Sequence, residues 1–149
     1  MTRSINSKLP RREVAILILY DENERMLLQK RTADAPVFPG VWGFFGGGIE
    51  SGESPLEALK REIYEELEYE IANPGFLLEE EYCHKDPPRE IKRSVFIEFY
   101  DSSQKLVLHE GERMGWFTHE ETLKIVDIPS FNRPILRAVS LEIESRRSS

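Results

Sequence analysis

The sequence predicts an α/β fold, a mixed sheet held between helices, and three observations carry that expectation. An unbroken apolar run rich in β-branched residues, Val14 to Tyr20, has the composition of a strand buried on both faces. A helix opening at Ser54 combines a full set of start signals with an apolar stripe. Strand-like runs lie before and after that helix, and a second helical pattern closes the chain, so helices are available to cover the sheet.

Taken in order, residues 1–12 carry Arg3, Lys8, Arg11 and Arg12 without apolar periodicity and read as a loose arm. After the first strand, Asp21-Glu22-Asn23-Glu24 supplies a polar turn, and Met26 to Arg31 returns as a second strand. Thr32 to Trp42 is rich in proline and glycine and reads as a loop. Gly43-Phe44-Phe45 is a short strand delivering the glycine run that follows. Ser54 then serves as N-cap, Pro55 as the first helical residue, and Glu57 completes a capping box. Leu56, Leu59, Ile63 and Leu67 form the buried stripe. Glu68 offers no glycine exit, so the helix is expected to run on toward the Asn73-Pro74-Gly75 breaker.

Phe76 to His84 reads as a strand that Asp86-Pro87-Pro88 ends. Arg93 to Tyr100 alternates, with Val95, Ile97 and Phe99 on one face and Phe96, Glu98 and Tyr100 on the other. Glu98 reads as a paired acid on an edge strand, with membership of a functional site as the other reading. Leu106-Val107-Leu108 and Met114 to Phe117 are short strands flanking a polar loop, His109 to Arg113. Thr118 opens a capped helix. Phe131 to Ile143 carries Ile135, Leu136, Val139 and Ile143 at helical spacing, and Ser145 to Ser149 is a frayed tail.

A length of 149 residues suits one domain over 1–149, enough to bury about two-thirds of the unfolded surface. No apolar run approaches the roughly 20 residues of a membrane span, and the polar start is no secretory signal. Cys83 is the sole cysteine, which precludes an internal disulfide and fits a reducing cytoplasm; the thiol itself reads as incidental. The net charge of −7 lacks the electrostatic footprint of a general nucleic-acid binder, although bridging cations would admit a polyphosphate. His84, His109 and His119 have no metal-ligand spacing, and Trp42 and Trp116 read as core or rim aromatics.

The chemistry centres on the helix. Glu62, Glu65 and Glu66 share one face beside the apolar stripe, and folding gives no reason to gather three mutually repelling carboxylates. A run of acids is ordinarily a solvated face. A hard divalent cation gives such a cluster a different purpose, because Mg²⁺ or Mn²⁺ takes oxygen ligands.

Gly47, five residues, Glu53, seven residues, Arg61-Glu62-Ile63, one residue, then Glu65-Glu66: this spacing resembles the Nudix box. The pattern departs at Leu67-Glu68-Tyr69, where the family places a glycine second. The resemblance implies a Nudix-type α/β/α sandwich and hydrolysis of a nucleoside diphosphate linked to another group, with Mg²⁺, or Mn²⁺, as cofactor. It implies Glu62 and Glu66 as principal metal ligands and Glu65 as a ligand or water-orienting neighbour. The Gly46 carbonyl joins them, and Arg61 with Glu53 braces loop against helix.

Outside the box the chain is similar to MutT-type 8-oxo-dGTP diphosphatases. Arg31-Thr32-Ala33-Asp34-Ala35 resembles a stretch supplying a nucleotide-contacting arginine. Glu110-Gly111 lies six residues before Trp116, where that group has a loop glutamate as candidate general base. Ile128 to Ile135 resembles the stretch whose asparagine, here Asn132, reads a purine edge; its other reading is a helix N-cap. Arg31 is otherwise a solvated strand-end cation, and Glu98 and Glu112 are the alternative bases. Phe45, Gly43 and Gly115 depart from that group's pattern. The implied activity cleaves a dGTP-type or 8-oxo-dGTP-type triphosphate to monophosphate and pyrophosphate. The alternatives are a nucleotide sugar, ADP-ribose or RNA 5′ end as substrate, or a non-catalytic nucleotide-sensing module. The partner is in each case a nucleotide, and the sequence leaves the oligomeric state open.

Overall fold

The computed structural model describes residues 9–85 and 88–147. Its sheet is assembled around β1 (Arg11–Tyr20). This strand pairs in parallel with β6 (Pro88–Phe99), from Arg11↔Glu90 to Tyr20↔Phe99. It pairs antiparallel with β4 (Phe45–Gly48) from Val14↔Gly48 to Leu17↔Phe45, and with β2 (Met26–Lys30) at Tyr20↔Met26. β2 also carries β3 (Trp42–Gly43) and β7 (Arg113–Phe117), and β6 carries β5 (Gly75–Lys85), with a register shift between Phe76 and Leu78. The result is a mixed seven-stranded sheet of order β3-β2-β1-β6-β5, with β4 against β1 and β7 against β2.

Alternation along β1 sends its apolar residues to two cores. Ala15, Leu17 and Leu19 meet Leu59, Ile63 and Leu67 of α1 (Pro55–Leu67) on one face. Ile16, Ile18 and Tyr20 meet Ile135, Leu136, Val139 and Ile143 of α3 (Arg133–Arg147) on the other. Leu59 and Ile63 are wholly buried, each worth about 1.5–3 kcal/mol of transfer free energy. These are the layers of an α/β/α sandwich, completed by the short α2 (His119–Thr122). Among the described residues no helix is long and apolar enough to cross a membrane.

α1 starts as its sequence dictates. Ser54 accepts from the Glu57 N–H, the Glu57 carboxylate accepts from the Ser54 N–H, and Pro55 stands first. Thr118 caps α2 in the same reciprocal way with Glu121.

Several expectations are corrected. α1 stops at Leu67, because Glu68 adopts the left-handed conformation (φ 54°, ψ 33°) and its N–H closes on Tyr64. Burial of Leu67 and Tyr69 on the sheet requires the turn, and that packing overrides the steric cost of a left-handed non-glycine residue. β1 starts at Arg11 and not Val14, since parallel pairing with β6 extends beyond the apolar run; residues 1–8 of the expected arm lie outside the described residues. β6 likewise begins at Pro88, and residues 86–87 of the expected break are also outside them. Gly43-Phe44-Phe45 divides between β3 and β4. Leu106 to Leu108 forms no strand: the Val107 N–H instead bonds Leu67 O of α1. α3 extends to Arg147, holding residues 145–147 of the expected frayed tail, while 148–149 are outside the described residues.

Candidate active site

β4 brings Gly46, Gly47 and Gly48 beside the second half of α1. The Gly46 N–H donates to Glu66 Oε1 at 3.0 Å. A Cβ on Gly47 would stand 2.4 Å from the Glu62 carboxyl carbon, so the glycine leaves room for that carboxylate to lie on the strand. Gly46 itself has φ 142° and no space for a Cβ, which would meet Ala15 O at 2.1 Å.

Arg61 ties the loop before α1 to the helix. It donates to both oxygens of Glu53 (2.8 and 2.9 Å), to Glu62 Oε2 at 2.8 Å and to Gly48 O at 3.2 Å. Glu53 also accepts from the Glu50 N–H, and the Arg61 hydrogen bonds, reinforced by that N–H, hold its carboxyl down at about 2. Arg61 is correspondingly held further above its ordinary range by Glu53 and Glu62.

Glu66 has the opposite environment. Only 3% of it is exposed, and burial first, then the charge of Glu110, push its carboxyl up to about 9; Glu62 raises it further while the Gly46 N–H opposes. Glu62, Glu66 and Glu110 therefore converge. Glu65 stands apart on the rim, 62% exposed and 4.0 Å from Arg61 Nη1. Glu110 reaches this cluster because its loop is tied at both ends. The His109 N–H bonds Glu66 O and the Glu112 N–H bonds Lys30 O, with Gly111 between them at φ 90°.

Glu98 is corrected in position and partners. β6 is an interior strand, and the Glu98 carboxylate is buried against Tyr69 OH (2.6 Å) and the N–H groups of Ala72 and Asn73. It organises the turn after α1, and its hydrogen bond helps push the Tyr69 hydroxyl above its ordinary range, after burial.

Two cavities meet at Arg31, whose Nε donates to Val37 O at 2.8 Å. One, of about 330 Å³, is lined by Arg31, Gln29, Asp34 and Glu110. The other, of about 130 Å³, is lined by Arg31, Gly43, Phe44, Tyr82, Phe131 and Asn132, with Arg93 behind them. Asn132 lies in a 3₁₀ turn, Ser130–Asn132, 5% exposed, and its Oδ1 accepts from Arg93 Nη1 at 2.6 Å.

Arg93, Glu80, Tyr82 and Gln29 were not singled out from the sequence. A signal existed for Arg93: it is a cation on the same strand face as Val95 and Ile97, where an apolar row is expected. Gln29 carries none, yet it is 3% exposed, donates to Phe44 O and keeps a buried Oε1 without a partner.

A family model described as the NUDIX domain matches residues 9–139. The nucleoside triphosphatase NudI of Enterobacter sp. (strain 638) is 46% identical over 57 residues, 38% of this chain and 40% of that protein. NudI of Escherichia coli O139:H28 is 47% identical over 57 residues, with the same shares of both chains. The chain thus matches well under half the length of these curated relatives. Among solved structures, the MutT protein of Methanosarcina mazei Go1 superposes with a TM-score of 0.81 at 18% identity, covering 93% of this chain and 99% of that one. The E. coli ORF135 protein superposes at 0.74 with 26% identity, covering 95% and 96%. The 18% likeness is one of fold alone; the family assignment comes from the domain model. Matched from residue 9 to 139 and built on the corresponding layers, the chain belongs to the Nudix family.

Proposed function

We propose that this protein is a divalent-cation-dependent pyrophosphohydrolase. Its substrate is a nucleoside triphosphate of the dGTP or 8-oxo-dGTP type, cleaved at a phosphoanhydride bond to monophosphate and pyrophosphate. The observation that carries the reading is Glu66: a buried carboxylate gathered with Glu62 and Glu110, its ionised form so disfavoured that the cluster makes sense with a cation among it. The donor set fits. All three are hard oxygen donors, the ligand type a hard divalent cation takes. When bound, Mg²⁺, or Mn²⁺ in its place, neutralises phosphate charge and lowers the pKa of a water.

Glu62 and Glu66 would hold the cation with the Gly46 carbonyl, and Glu65 on the rim would serve as a further ligand or orient water. Arg61 and Glu53 keep Glu62 in place through the contacts described above. Glu110 is the general base, poised beside Glu66 by its doubly tied loop. Arg31, common to both cavities, spans nucleotide and phosphates, and Asn132 faces the base. The NudI relatives, named as nucleoside triphosphatases, support a triphosphate substrate.

The test is a Mg²⁺-supplemented panel of dGTP, 8-oxo-dGTP, dCTP and ADP-ribose with products resolved. The expected result is pyrophosphate and monophosphate from the guanine nucleotides, lost in Glu66→Gln. Undiminished turnover by Glu66→Gln at saturating Mg²⁺, or preference for ADP-ribose, overturns the reading.

A further inference from the structure

The 130 Å³ cavity has a buried arginine behind it whose partners are almost all accounted for. Arg93 is 5% exposed; Nε and Nη2 hold the Glu80 carboxylate (2.6 and 3.1 Å), Nη2 also donates to Phe131 O at 2.9 Å, and Nη1 donates to Asn132 Oδ1 at 2.6 Å. The rings of Tyr82 and Phe131 flank the guanidinium at 4.7 and 5.3 Å, and they stack on each other with centroids 4.4 Å apart. Register on the sheet sets this pairing, since Glu80 and Arg93 are directly opposite across β5 and β6.

A guanidinium has donors only, whereas an amide end can turn over. Facing Arg93, the Asn132 amide therefore turns its oxygen to the arginine and its NH₂ away. That NH₂ nitrogen stands 3.8 Å from where a Cβ on Gly43 would be, and apart from Gly43 and its two chain neighbours no other described atom lies within 4 Å of that point. Gly43 thus leaves the donor end open to the cavity.

We infer that Arg93 is the specificity-setting positioning residue of this pocket. By locking the Asn132 amide with its NH₂ inward, it selects a purine bearing a 6-oxo acceptor over one bearing a 6-amino donor. A guanine-type or hypoxanthine edge meets the NH₂ with a carbonyl, while adenine meets it with another NH₂. Juxtaposing two donors in a buried pocket leaves both unsatisfied, the kind of mismatch that discriminates most strongly between ligands. The inference rests on the nucleotide reading above and names the residue that turns it into a choice of base.

The test reads binding, so it does not depend on turnover: calorimetric titration of GMP, IMP and AMP without metal, on wild type, Asn132→Asp and Arg93→Lys. Asn132→Asp keeps a partner for Arg93 and removes the donor. Arg93→Lys keeps a cation for Glu80, but its single ammonium replaces the fork whose separate Nη1 holds Asn132 Oδ1, which frees the amide to turn. Wild type is expected to bind GMP and IMP at least about tenfold more tightly than AMP, consistent with one unsatisfied donor pair. Asn132→Asp should abolish or invert that ratio, and Arg93→Lys should reduce it to within about threefold. Absence of the 6-oxo preference in wild type, or its survival in folded Asn132→Asp, overturns the inference. So does its survival in folded Arg93→Lys; if that variant does not fold, Asn132→Asp decides. A preserved ratio in a protein that hydrolyses no triphosphate would reject the proposed reaction and leave the positioning role of Arg93 standing.

Discussion

Glu53 and Glu66, thirteen residues apart in the chain, show how environment divides a single chemistry. Glu53 receives a bidentate arginine and a backbone N–H, and its carboxyl is held down at about 2. Glu66 receives one N–H against burial and two like charges, and its carboxyl rises to about 9 from an ordinary 4.5. The second shift has a sign with consequences for stability. Because the folded state holds this proton more tightly than the unfolded chain, metal-free protein loses stability as pH rises from about 4.5 toward 9. Glu66→Gln removes the titration, so the metal-free variant should match wild type near pH 4.5. At pH 8.5 it should melt higher, by about 3 °C or more for each kcal/mol relieved. Thermal melts of both proteins in chelator at the two pH values check this; an equal gain at both would place the effect outside the carboxyl's charge.

At the scale of the element, α1 is the part of the molecule most completely written in local sequence at its start and least so at its end. Ser54, Pro55 and Glu57 form their cap as spacing alone requires. The end was decided by packing. Leu67 and Tyr69 are both buried, which bends the chain at Glu68 into left-handed geometry that glycine adopts far more cheaply. Glu68 also meets His109 on the surface, a contact whose loss costs little because both side chains are nearly half exposed. Glu68→Gly should therefore stabilise the protein by about 0.5–1 kcal/mol. A raised urea midpoint with unchanged m-value is the expected outcome, and a lowered midpoint would mean that the His109 contact outweighs the backbone relief.

At the scale of the molecule, sheet topology decides which acids work together. Glu98 and Glu110 were both open as general bases when only the sequence was considered. Glu98 lies on an interior strand and is consumed by Tyr69, Ala72 and Asn73. Glu110 is carried to the α1 carboxylates by a loop fastened to Glu66 O and Lys30 O. The two substitutions should therefore fail differently. Glu110→Gln should lower kcat by roughly 10²–10⁴ with little change in melting. Glu98→Gln should cost about 2–3 kcal/mol of stability, the worth of hydrogen bonds to a buried charge, and leave kcat of the folded protein near wild type. Parallel kcat and denaturation measurements separate them, and a kcat collapse in folded Glu98→Gln alone would return the strand acid to the reaction.

What the sequence determined by itself was whatever depends on neighbours a few residues apart. The capped amphipathic α1, the doubly buried β1, the acidic face of the helix and the box spacing are all local, and each follows from short-range geometry. What only tertiary structure decided depends on partners far along the chain. Glu98 lies inside the sheet because parallel β1–β6 pairing makes β6 an interior strand. Leu106 to Leu108 forms no strand because its backbone is bonded to the end of α1. Asn132 and Arg93 are 39 residues apart, and only the closure of the α3-side layer onto the sheet brings the amide to the guanidinium. A backbone pattern can be read from the chain, but which buried donor meets which acceptor is settled when the layers pack, because burial makes every unpaired polar group costly.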